Sequence, residues 1–250
     1  MAVVFEKTKG LTDAKLHYCP GCGHGIVHRL VAEVLEEMGE LGNSITCVPV
    51  GCSVFANNYF NIDAIQCAHG RAPATATGIK RVRPEQLVFT YQGDGDLASI
   101  GTCEIVHAAA RGEKITTIFI NNGIYGMTGG QMAPTTLPGM KATTAQKGRD
   151  PKVNGNPIRV SEMLATLTGP AYIERVAITT PAQIAGAKKA IRKAFEIQKQ
   201  GLGFTFVEVV STCPTNWGVT PVKAMEFVRE SMIPYYPLGV YKDITVEEGK

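Results

Sequence analysis

Cysteine is the residue type with the clearest chemical potential in this chain of 250 residues, which contains seven of them. Cys19 and Cys22 form a C-x-x-C pair in a Gly/Pro turn, a geometry that directs two thiolates towards one metal site. Cys52 and Cys213 each follow an apolar, strand-like segment by two residues, so we expect both at the carboxyl edge of a sheet. A haem attachment site would require His directly after Cys22, where Gly23 stands.

Several uses of these cysteines remain open. Four thiolates on dispersed loops suit a four-iron, four-sulfur cluster, and a single zinc ion is the simpler alternative. A thioredoxin-like redox pair is disfavoured because no strand precedes the C-x-x-C pair. Cys47 lies within a strand pattern, and Cys103 shares a helix face with Ile100 and Val106, so we expect both in the core. We make no prediction for the role of Cys67.

A second group of residues suits phosphate and a divalent cation. Gly93 and Gly95 flank Asp94 in the stretch Gly93-Asp94-Gly95-Asp96, and glycines allow a ligand to approach the backbone closely. The following helix begins near Leu97 and directs free N–H groups towards an anion. Asn122 ends the next strand, and adjacent parallel strands bring its amide oxygen close to Asp94. A Gly-Asp-Gly turn alone is common, so the pairing with Asn122 carries the prediction of a magnesium and diphosphate site.

The elements that must position these residues alternate between strands and helices. We predict strands at 44–50, 86–92, 115–121, 172–178 and 204–211, and helices at 25–38, 73–82, 97–111, 159–167 and 181–200. This alternation predicts an α/β fold, a mainly parallel sheet with helices on both faces, as one domain over residues 1–250. Two stretches lack regular patterning: 122–156, and the proline-rich segment after Thr212, which we expect to pack along the surface or against another chain.

Composition argues against several functional classes. The chain has 25 basic and 22 acidic residues and no dense basic stripe, so we expect neither nucleic-acid nor membrane binding. Residues 1–15 contain no long apolar run, and we therefore expect a cytoplasmic protein. In that compartment, cysteines serve as metal ligands more readily than as disulfides.

Taken together, these motifs resemble the beta subunits of 2-oxoacid:ferredoxin oxidoreductases, which have a thiamine-diphosphate-binding fold. The resemblance runs from about Tyr18 to about Asn216. It rests on six motif stretches: Cys19–His24 (CPGCGH), Gly51–Ser53 (GCS), His69–Ala72 (HGRA), Gly93–Asp96 (GDGD), Tyr125–Gln131 (YGMTGGQ) and Cys213–Asn216 (CPTN).

The resemblance implies three cofactors: thiamine diphosphate, Mg²⁺ and one 4Fe-4S cluster. Asp94, Asn122 and the backbone carbonyl of Ile124 would hold Mg²⁺. The implied cluster ligands are Cys19, Cys22, Cys52 and Cys213, which we call the four-cysteine group.

The resemblance also implies roles for other residues of the motifs. Gly93, Gly95, Asp96 and Thr128 would lie near the diphosphate. His69, Arg71 and Thr128 would lie in or near the catalytic centre, and an anchoring role for Arg71 is an equal alternative.

The implied reaction is oxidative decarboxylation of a 2-oxoacid with coenzyme A, which gives an acyl-CoA and CO₂ and passes electrons through the cluster to ferredoxin. An alpha subunit would supply the Glu that activates the aminopyrimidine ring, and gamma and ferredoxin-like delta subunits would complete the complex. Two alternatives are a non-redox thiamine diphosphate decarboxylase with structural cysteines, and a zinc-stabilised binding module.

The predicted substrate is a branched-chain 2-oxoacid, with 2-oxoglutarate as the alternative. The stretches Val54–Phe60 and Thr215–Gly218 resemble enzymes for branched-chain 2-oxoacids or for 2-oxoglutarate. Some relatives have a Lys two residues after the counterpart of Ser53, and others have Asn at the position of Met127; both features are missing here. An apolar pocket of Val54, Phe55 and Met127 favours branched-chain substrates. The candidate cations for 2-oxoglutarate are Arg71, Lys141 and Arg149.

Overall fold

The computed structural model describes residues 6–246, so both ends of the predicted domain 1–250 lie outside the described residues. Its strands are β1 (Ser44–Val48), β2 (Asp63–Gln66), β3 (Leu87–Gly93), β4 (Thr116–Asn121), β5 (Ile124–Tyr125), β6 (Gln131–Met132), β7 (Pro170–Ala177), β8 (Phe204–Val210) and β9 (Gly239–Asp243). Seven strands form the main sheet in the order β2-β1-β3-β4-β8-β7-β9, and β5 pairs with β6. Neighbours from β2 to β7 are parallel, and β9 is antiparallel to β7.

The helices connect these strands and cover the sheet. They are α1 (His24–Glu37), α2 (Ala56–Tyr59), α3 (Ala72–Val82), α4 (Thr102–Ala110), α5 (Pro151–Asn154), α6 (Val160–Ala165), α7 (Pro181–Lys199), α8 (Pro214–Trp217), α9 (Pro221–Phe227) and α10 (Ile233–Tyr235). Short 3-10 helices lie at Leu41–Asn43 and Cys52–Phe55, and π-helical turns lie at Asp96–Ile100 and Val228–Met232.

Strand β3 shows how the sheet builds a core on each face. Leu87, Phe89 and Tyr91 pack into the cluster that contains the apolar sides of α1 and α7. Val88 packs on the opposite face with residues of α3, α4 and α6. Alternate side chains of a strand point to opposite faces, so a strand covered by helices on both sides is apolar almost throughout. The predicted α/β architecture is confirmed.

Helix α7 begins and ends where its sequence indicates. Thr180 caps the first turn by accepting a hydrogen bond from Gln183 N at 3.2 Å, and Pro181 occupies a position where no N–H is needed. Gly201 follows the last turn with φ +70°, a conformation that glycine adopts without strain.

The predicted helix 97–111 is wrong in its first part. Asp96–Ile100 forms a π-helical turn closed by a 2.8 Å bond from Gly101 N to Asp96 O, and α4 begins only at Thr102. A Cβ at Gly101 would lie 2.8 Å from Gly70 O, so the backbones approach too closely for a side chain. The changed helical phase also overturns the core assignment of Cys103, which is exposed. Cys47 is buried, as predicted.

Two strands of the sheet were not predicted. Strand β2 is short and mostly exposed. Because an exposed strand needs no apolar run, its sequence carried no signal for a strand. Strand β9 lies in the proline-rich segment after Thr212, which also forms α8, α9 and α10. This segment forms regular elements of the described domain, and its Tyr236 is fully buried. Across residues 6–246, every helix is too short or too polar to cross a bilayer.

Candidate functional site

A cavity of about 140 Å³ lies beyond the carboxyl ends of β1, β3 and β4, where ligands of parallel sheets bind. Five of the six motif stretches contribute to its wall. Asp94, Asn122 and Ile124 lie on it together, as the predicted magnesium site requires. Their proximity follows from the pairing of β3 with β4, which places Gly93 opposite Ile120.

Asp94 is a buried, hydrogen-bonded acid in this wall. Its side chain is buried, Oδ1 accepts from Gly95 N at 2.9 Å, and Oδ2 accepts from the Thr135 hydroxyl at 2.7 Å. Burial raises the pKa of Asp94 from 3.8 to about 6, although the bonds from Thr135 and neighbouring backbone N–H groups oppose the increase. All of these donors are neutral, so a divalent cation would compensate the buried charge further.

Asn122 and Ile124 complete an oxygen-rich corner beside Asp94. Asn122 is buried, and its Oδ1 accepts a 3.2 Å bond from Ile124 N, which folds the strand end back towards the cavity. A carboxylate, an amide oxygen and a backbone carbonyl are ligands that Mg²⁺ accepts, with phosphate oxygens or water at the remaining positions. The donor set present here fits the predicted ion.

Glycine stands on both sides of Asp94, at Gly93 and Gly95, for different structural reasons. A Cβ at Gly93 would have no heavy atom within 4 Å, so this position leaves free space. A Cβ at Gly95 would lie 2.2 Å from a ring carbon of Tyr125. Tyr125 also donates its hydroxyl hydrogen to Gly95 O at 3.1 Å. Gly93 thus fits the cradle expected for a diphosphate, whereas Gly95 is required by protein packing.

Asp96 and His69 form a hydrogen-bonded pair in the wall. His69 Nδ1 lies 2.5 Å from Asp96 Oδ1, which also accepts from Gly70 N at 2.6 Å. Gln92 Nε2 donates to Asp96 Oδ2 at 2.7 Å. Burial raises the pKa of Asp96, and the bonds from Gln92, Gly70 and His69 lower it. Asp96 therefore orients the His69 loop, a role the sequence did not indicate.

Thr128 and Arg71 differ in their relation to the cavity. Thr128 lies on the wall and donates its hydroxyl hydrogen to Gln131 Oε1 at 2.5 Å, which braces the β5–β6 hairpin. Arg71 is not among the wall residues and pairs instead with Glu104 on α4. This contact supports the anchoring alternative for Arg71.

The members of the four-cysteine group lie near one another at the same edge of the sheet. Cys19 and Cys213 both raise the pKa values of Cys22 and Cys52, as only nearby groups do. A Cβ at Gly126 would lie 3.3 Å from Cys52 Sγ and 3.6 Å from Cys213 Sγ, so these sulfurs are no more than about 7 Å apart. Burial, with a smaller contribution from the neighbouring thiols, raises the pKa of Cys22 to about 12 and that of Cys52 to about 11.

Backbone contacts hold the cysteine-bearing loops together. Cys22 N donates to Cys19 O at 3.0 Å across a turn in which Gly21 has φ +77°. The Thr212 hydroxyl donates to Gly21 O at 2.6 Å and joins this turn to the end of β8. The Tyr18 hydroxyl donates to Cys52 O at 3.0 Å. The loops are thus tied to one another by contacts that require no metal.

The four thiolates could bind either a single zinc ion or an iron–sulfur cluster. Within the described residues, no three His, Cys, Asp or Glu side chains converge closely enough to hold one metal ion. Tetrahedral zinc would bring its sulfurs within about 4 Å of one another. A cluster binds each cysteine through a different iron atom, so it accommodates wider spacing. The four-cysteine group offers the thiolates that a cluster needs, and a bound cluster stays a prediction.

Comparison with known proteins identifies the family. The model of the thiamine pyrophosphate enzymes, C-terminal TPP binding domain, matches residues 46–209. The chain belongs to this family. The matched range includes the Gly93–Asp96 motif and Asn122, and it begins after the Cys19–Cys22 pair. Thiamine diphosphate is therefore the cofactor of the TPP-binding domain described above.

Relatives of this TPP-binding chain are subunits of 2-oxoacid oxidoreductases, as the motifs predicted. The ketoisovalerate oxidoreductase subunit VorA of Methanothermobacter thermautotrophicus is 48% identical over 98% of this chain and 51% of its own length. The chain thus spans about half the length of that relative. The 2-oxoglutarate synthase subunit KorB of Methanocaldococcus jannaschii is 39% identical over 92% of this chain and 82% of its own length.

A solved structure shows the same fold. It is a 2-oxoglutarate:ferredoxin oxidoreductase from Magnetococcus marinus with 2-oxoglutarate, coenzyme A and succinyl-CoA bound. It superposes with a TM-score of 0.78 at 26% identity and covers 97% of this chain and 88% of that chain.

Proposed function

We propose that this chain is the beta subunit of a 2-oxoacid:ferredoxin oxidoreductase that converts a branched-chain 2-oxoacid and coenzyme A to an acyl-CoA and CO₂. One observation carries the proposal. Cys52 and Gly126 belong both to the cavity wall that contains Asp94 and Asn122 and to the surroundings of the four-cysteine group. A cofactor in the cavity and a cluster on the cysteines would therefore be neighbours, as electron transfer between them requires.

The chain's own residues would hold the cofactor at its diphosphate end. Asp94, Asn122 and the carbonyl of Ile124 would bind Mg²⁺, and the free space at Gly93 would admit the diphosphate. Bound thiamine diphosphate supplies the electron sink that decarboxylation of a 2-oxoacid needs. Thr135 would keep the Asp94 carboxylate in the orientation that the ion requires.

His69 is a wall residue that could hold or accept a proton. A carboxylate oxygen accepts hydrogen bonds, so Asp96 fixes the proton of His69 on Nδ1. The remaining nitrogen, Nε2, is then the one available to a ligand in the cavity. The 4Fe-4S cluster would be bound by the four-cysteine group and would supply one-electron transfer.

The choice of a branched-chain substrate is supported by the charge of the cavity. Its described wall residues include no Lys or Arg, whereas the distal carboxylate of 2-oxoglutarate needs a cation. Arg149 is committed to its own loop, where its guanidinium donates to the carbonyls of Thr136 and Asn156 at 2.9 Å each. The relative at 48% identity, a ketoisovalerate oxidoreductase subunit, agrees with this choice.

The apolar part of the wall differs from the prediction. Met127 lies on it, but Val54 and Phe55 do not; Val50 takes their place. Phe55 instead stacks on His17 with a ring-centroid distance of 5.4 Å. Val50 and Met127 would contact the substrate side chain.

The remaining parts of the enzyme would come from partners. The described wall contains Asp94 and Asp96 but no glutamate, so we infer that an alpha subunit supplies the Glu that activates the aminopyrimidine ring. Gamma and ferredoxin-like delta subunits would carry electrons to ferredoxin in the cytoplasm. We infer that residues 1–250 act as one TPP-binding domain within this complex.

The test is a substrate panel on the anaerobically purified complex. We expect 2-oxoisovalerate to drive coenzyme-A-dependent reduction of a viologen acceptor with a higher kcat/KM than 2-oxoglutarate. The opposite preference would assign the enzyme to 2-oxoglutarate. CO₂ release without reduction of any acceptor would support the non-redox decarboxylase and remove the proposed function.

A further inference from the structure

The side-chain amide of Asn216 lies between the four-cysteine group and the cofactor cavity. Its Nδ2 is 3.3 Å from Cys213 Sγ and 2.9 Å from Gly126 O. Gly126 belongs to the cavity wall. One amide group thus contacts both a proposed cluster ligand and the wall that separates the cluster position from the cavity.

The orientation of this amide follows from its partners. A carbonyl oxygen can only accept a hydrogen bond, so the group that faces Gly126 O must be the NH₂ of Asn216. An NH₂ group has two hydrogens, and the second is directed at Cys213 Sγ. The backbone N–H of Asn216 acts in the same direction as its side chain, since both lower the pKa of Cys213 against the effect of burial. Asn216 therefore donates a side-chain N–H···S bond to Cys213.

The surrounding backbone keeps Asn216 in this position. A Cβ at Gly130 would lie 3.2 Å from Asn216 Oδ1 and 3.3 Å from its Cβ, so Gly130 leaves the room that the side chain occupies. Gly130 has φ +85°, which a residue with a Cβ rarely adopts. On the other side, Trp217 N donates to Cys213 O at 3.0 Å and closes the short helix α8 around the residue.

We propose that Asn216 is a positioning residue that sets the reduction potential of the cluster bound by this chain. This inference rests on the proposed function, because it requires a cluster on the four-cysteine group. Hydrogen bonds to a cluster's sulfurs stabilise its more negative, reduced form and raise its potential. The bond to Gly126 couples the same amide to the cofactor cavity, so it also fixes the wall between the two redox groups.

The test uses the anaerobically purified complex with three substitutions in this chain. Asn216→Asp keeps the shape of the side chain but replaces the NH₂ donor by a charged oxygen. Asn216→Leu has a similar size and no hydrogen-bonding group. Thr215→Ala is the matched control, because Thr215 is the exposed preceding residue.

The primary readout is the midpoint potential, measured by redox titration with electron paramagnetic resonance detection. The wave of this chain's cluster is the one that Cys213→Ser removes. Iron and sulfide contents and thiamine diphosphate affinity are measured on the same samples. We expect iron-replete Asn216→Leu to titrate at a more negative potential than wild type and Asn216→Asp at a still more negative one, with Thr215→Ala unchanged.

Two results would overturn the inference, and they are distinguishable. An iron-replete Asn216 variant with the wild-type potential would show that the amide does not act on the cluster, and it would leave the proposed function intact. A wild-type complex with no cluster wave assignable to Cys213 would contradict both the inference on Asn216 and the proposed function. If Asn216→Leu lost its iron, the isosteric Asn216→Asp would decide between the expected shift and no shift.

Discussion

The Thr135 hydroxyl donates to Asp94 Oδ2 across 2.7 Å, and both side chains are buried. Tyr236, from the segment after β8, fixes Thr135 in turn, because its hydroxyl donates to Thr135 O at 2.7 Å. A chain of two hydrogen bonds therefore links the C-terminal segment to the proposed magnesium ligand.

Removal of this hydroxyl should weaken the cofactor site without emptying it. Loss of a supporting partner of a metal ligand typically costs 10–100-fold in metal affinity, so we expect Thr135→Val to raise the Kd for Mg²⁺ with thiamine diphosphate by roughly tenfold or more. Isothermal titration calorimetry on the complex measures this change. Thr143→Val, at an exposed position, is the control. Equal affinities of Thr135→Val and wild type would show that Asp94 needs no such support.

Magnesium binding should depend on pH around the pKa of Asp94. Burial raises this pKa from 3.8 to about 6, and the ion requires the ionised carboxylate, so affinity should increase up to about pH 6 and then level off. In Thr135→Val the opposing hydrogen bond is lost, and the midpoint should move to higher pH. Titration of the diphosphate itself is common to both proteins and cancels. A midpoint shared by both proteins would contradict the assignment.

The raised pKa of Asp94 also makes the stability of the metal-free protein depend on pH. The folded-state pKa of Asp94 lies above its unfolded value, so the favourable contribution of this group is fully present below about pH 4. This contribution to the free energy of unfolding, about 3 kcal/mol in total, is lost as the pH rises through about 6. Mg²⁺ would offset this loss at neutral pH.

The two glycines beside Asp94 should respond differently to alanine. Gly95→Ala drives a Cβ against the Tyr125 ring, and such overpacking typically costs about 1–3 kcal/mol in the free energy of unfolding. Gly93→Ala places its Cβ in free space, so stability should change little while thiamine diphosphate affinity falls. Thermal unfolding and cofactor titration of both variants separate the effects. A cofactor affinity of Gly93→Ala equal to wild type would mean that the diphosphate lies elsewhere.

A cation introduced on the apolar wall should change substrate preference. Met127 lies on the cavity wall, which has no Lys or Arg among its described residues. We expect Met127→Lys to shift the ratio of kcat/KM towards 2-oxoglutarate by about tenfold, which corresponds to about 1.4 kcal/mol. Val153→Lys, at an exposed position away from the cavity, controls for surface charge. An unchanged ratio would exclude Met127 from the substrate pocket.

Short-range patterns were sufficient for much of the fold. Apolar runs located β3, β4 and β8 to within one or two residues, because these strands are buried on both faces. The exposed β2 carries no such run and was missed. The π-helical turn after Gly95 depends on the close approach of Gly70 and Gly101, which no local pattern encodes.

The candidate site likewise contains residues that the sequence could place and residues that it could not. Asp94, Asn122, Cys52 and Cys213 could be placed at one edge of the sheet because each lies at or just after a strand end, whereas Cys19 and Cys22 were singled out by their C-x-x-C spacing. Thr135 lies 41 residues from Asp94 in an irregular stretch, and its contact depends on how that stretch folds back over the sheet. Asn216 belonged to a recognised motif, but its two contacts become visible only when the Gly126 turn is placed beside Cys213.

The central claim is that one chain holds thiamine diphosphate and a cluster side by side. The most direct measurement is the content of iron, acid-labile sulfide, zinc and thiamine diphosphate in the anaerobically purified complex, compared between wild type, Cys213→Ser and the exposed-site control Cys103→Ser. We predict that wild type and Cys103→Ser contain one cluster more than Cys213→Ser, with equal thiamine diphosphate. Zinc in place of iron, or identical iron in all three complexes, would contradict the claim.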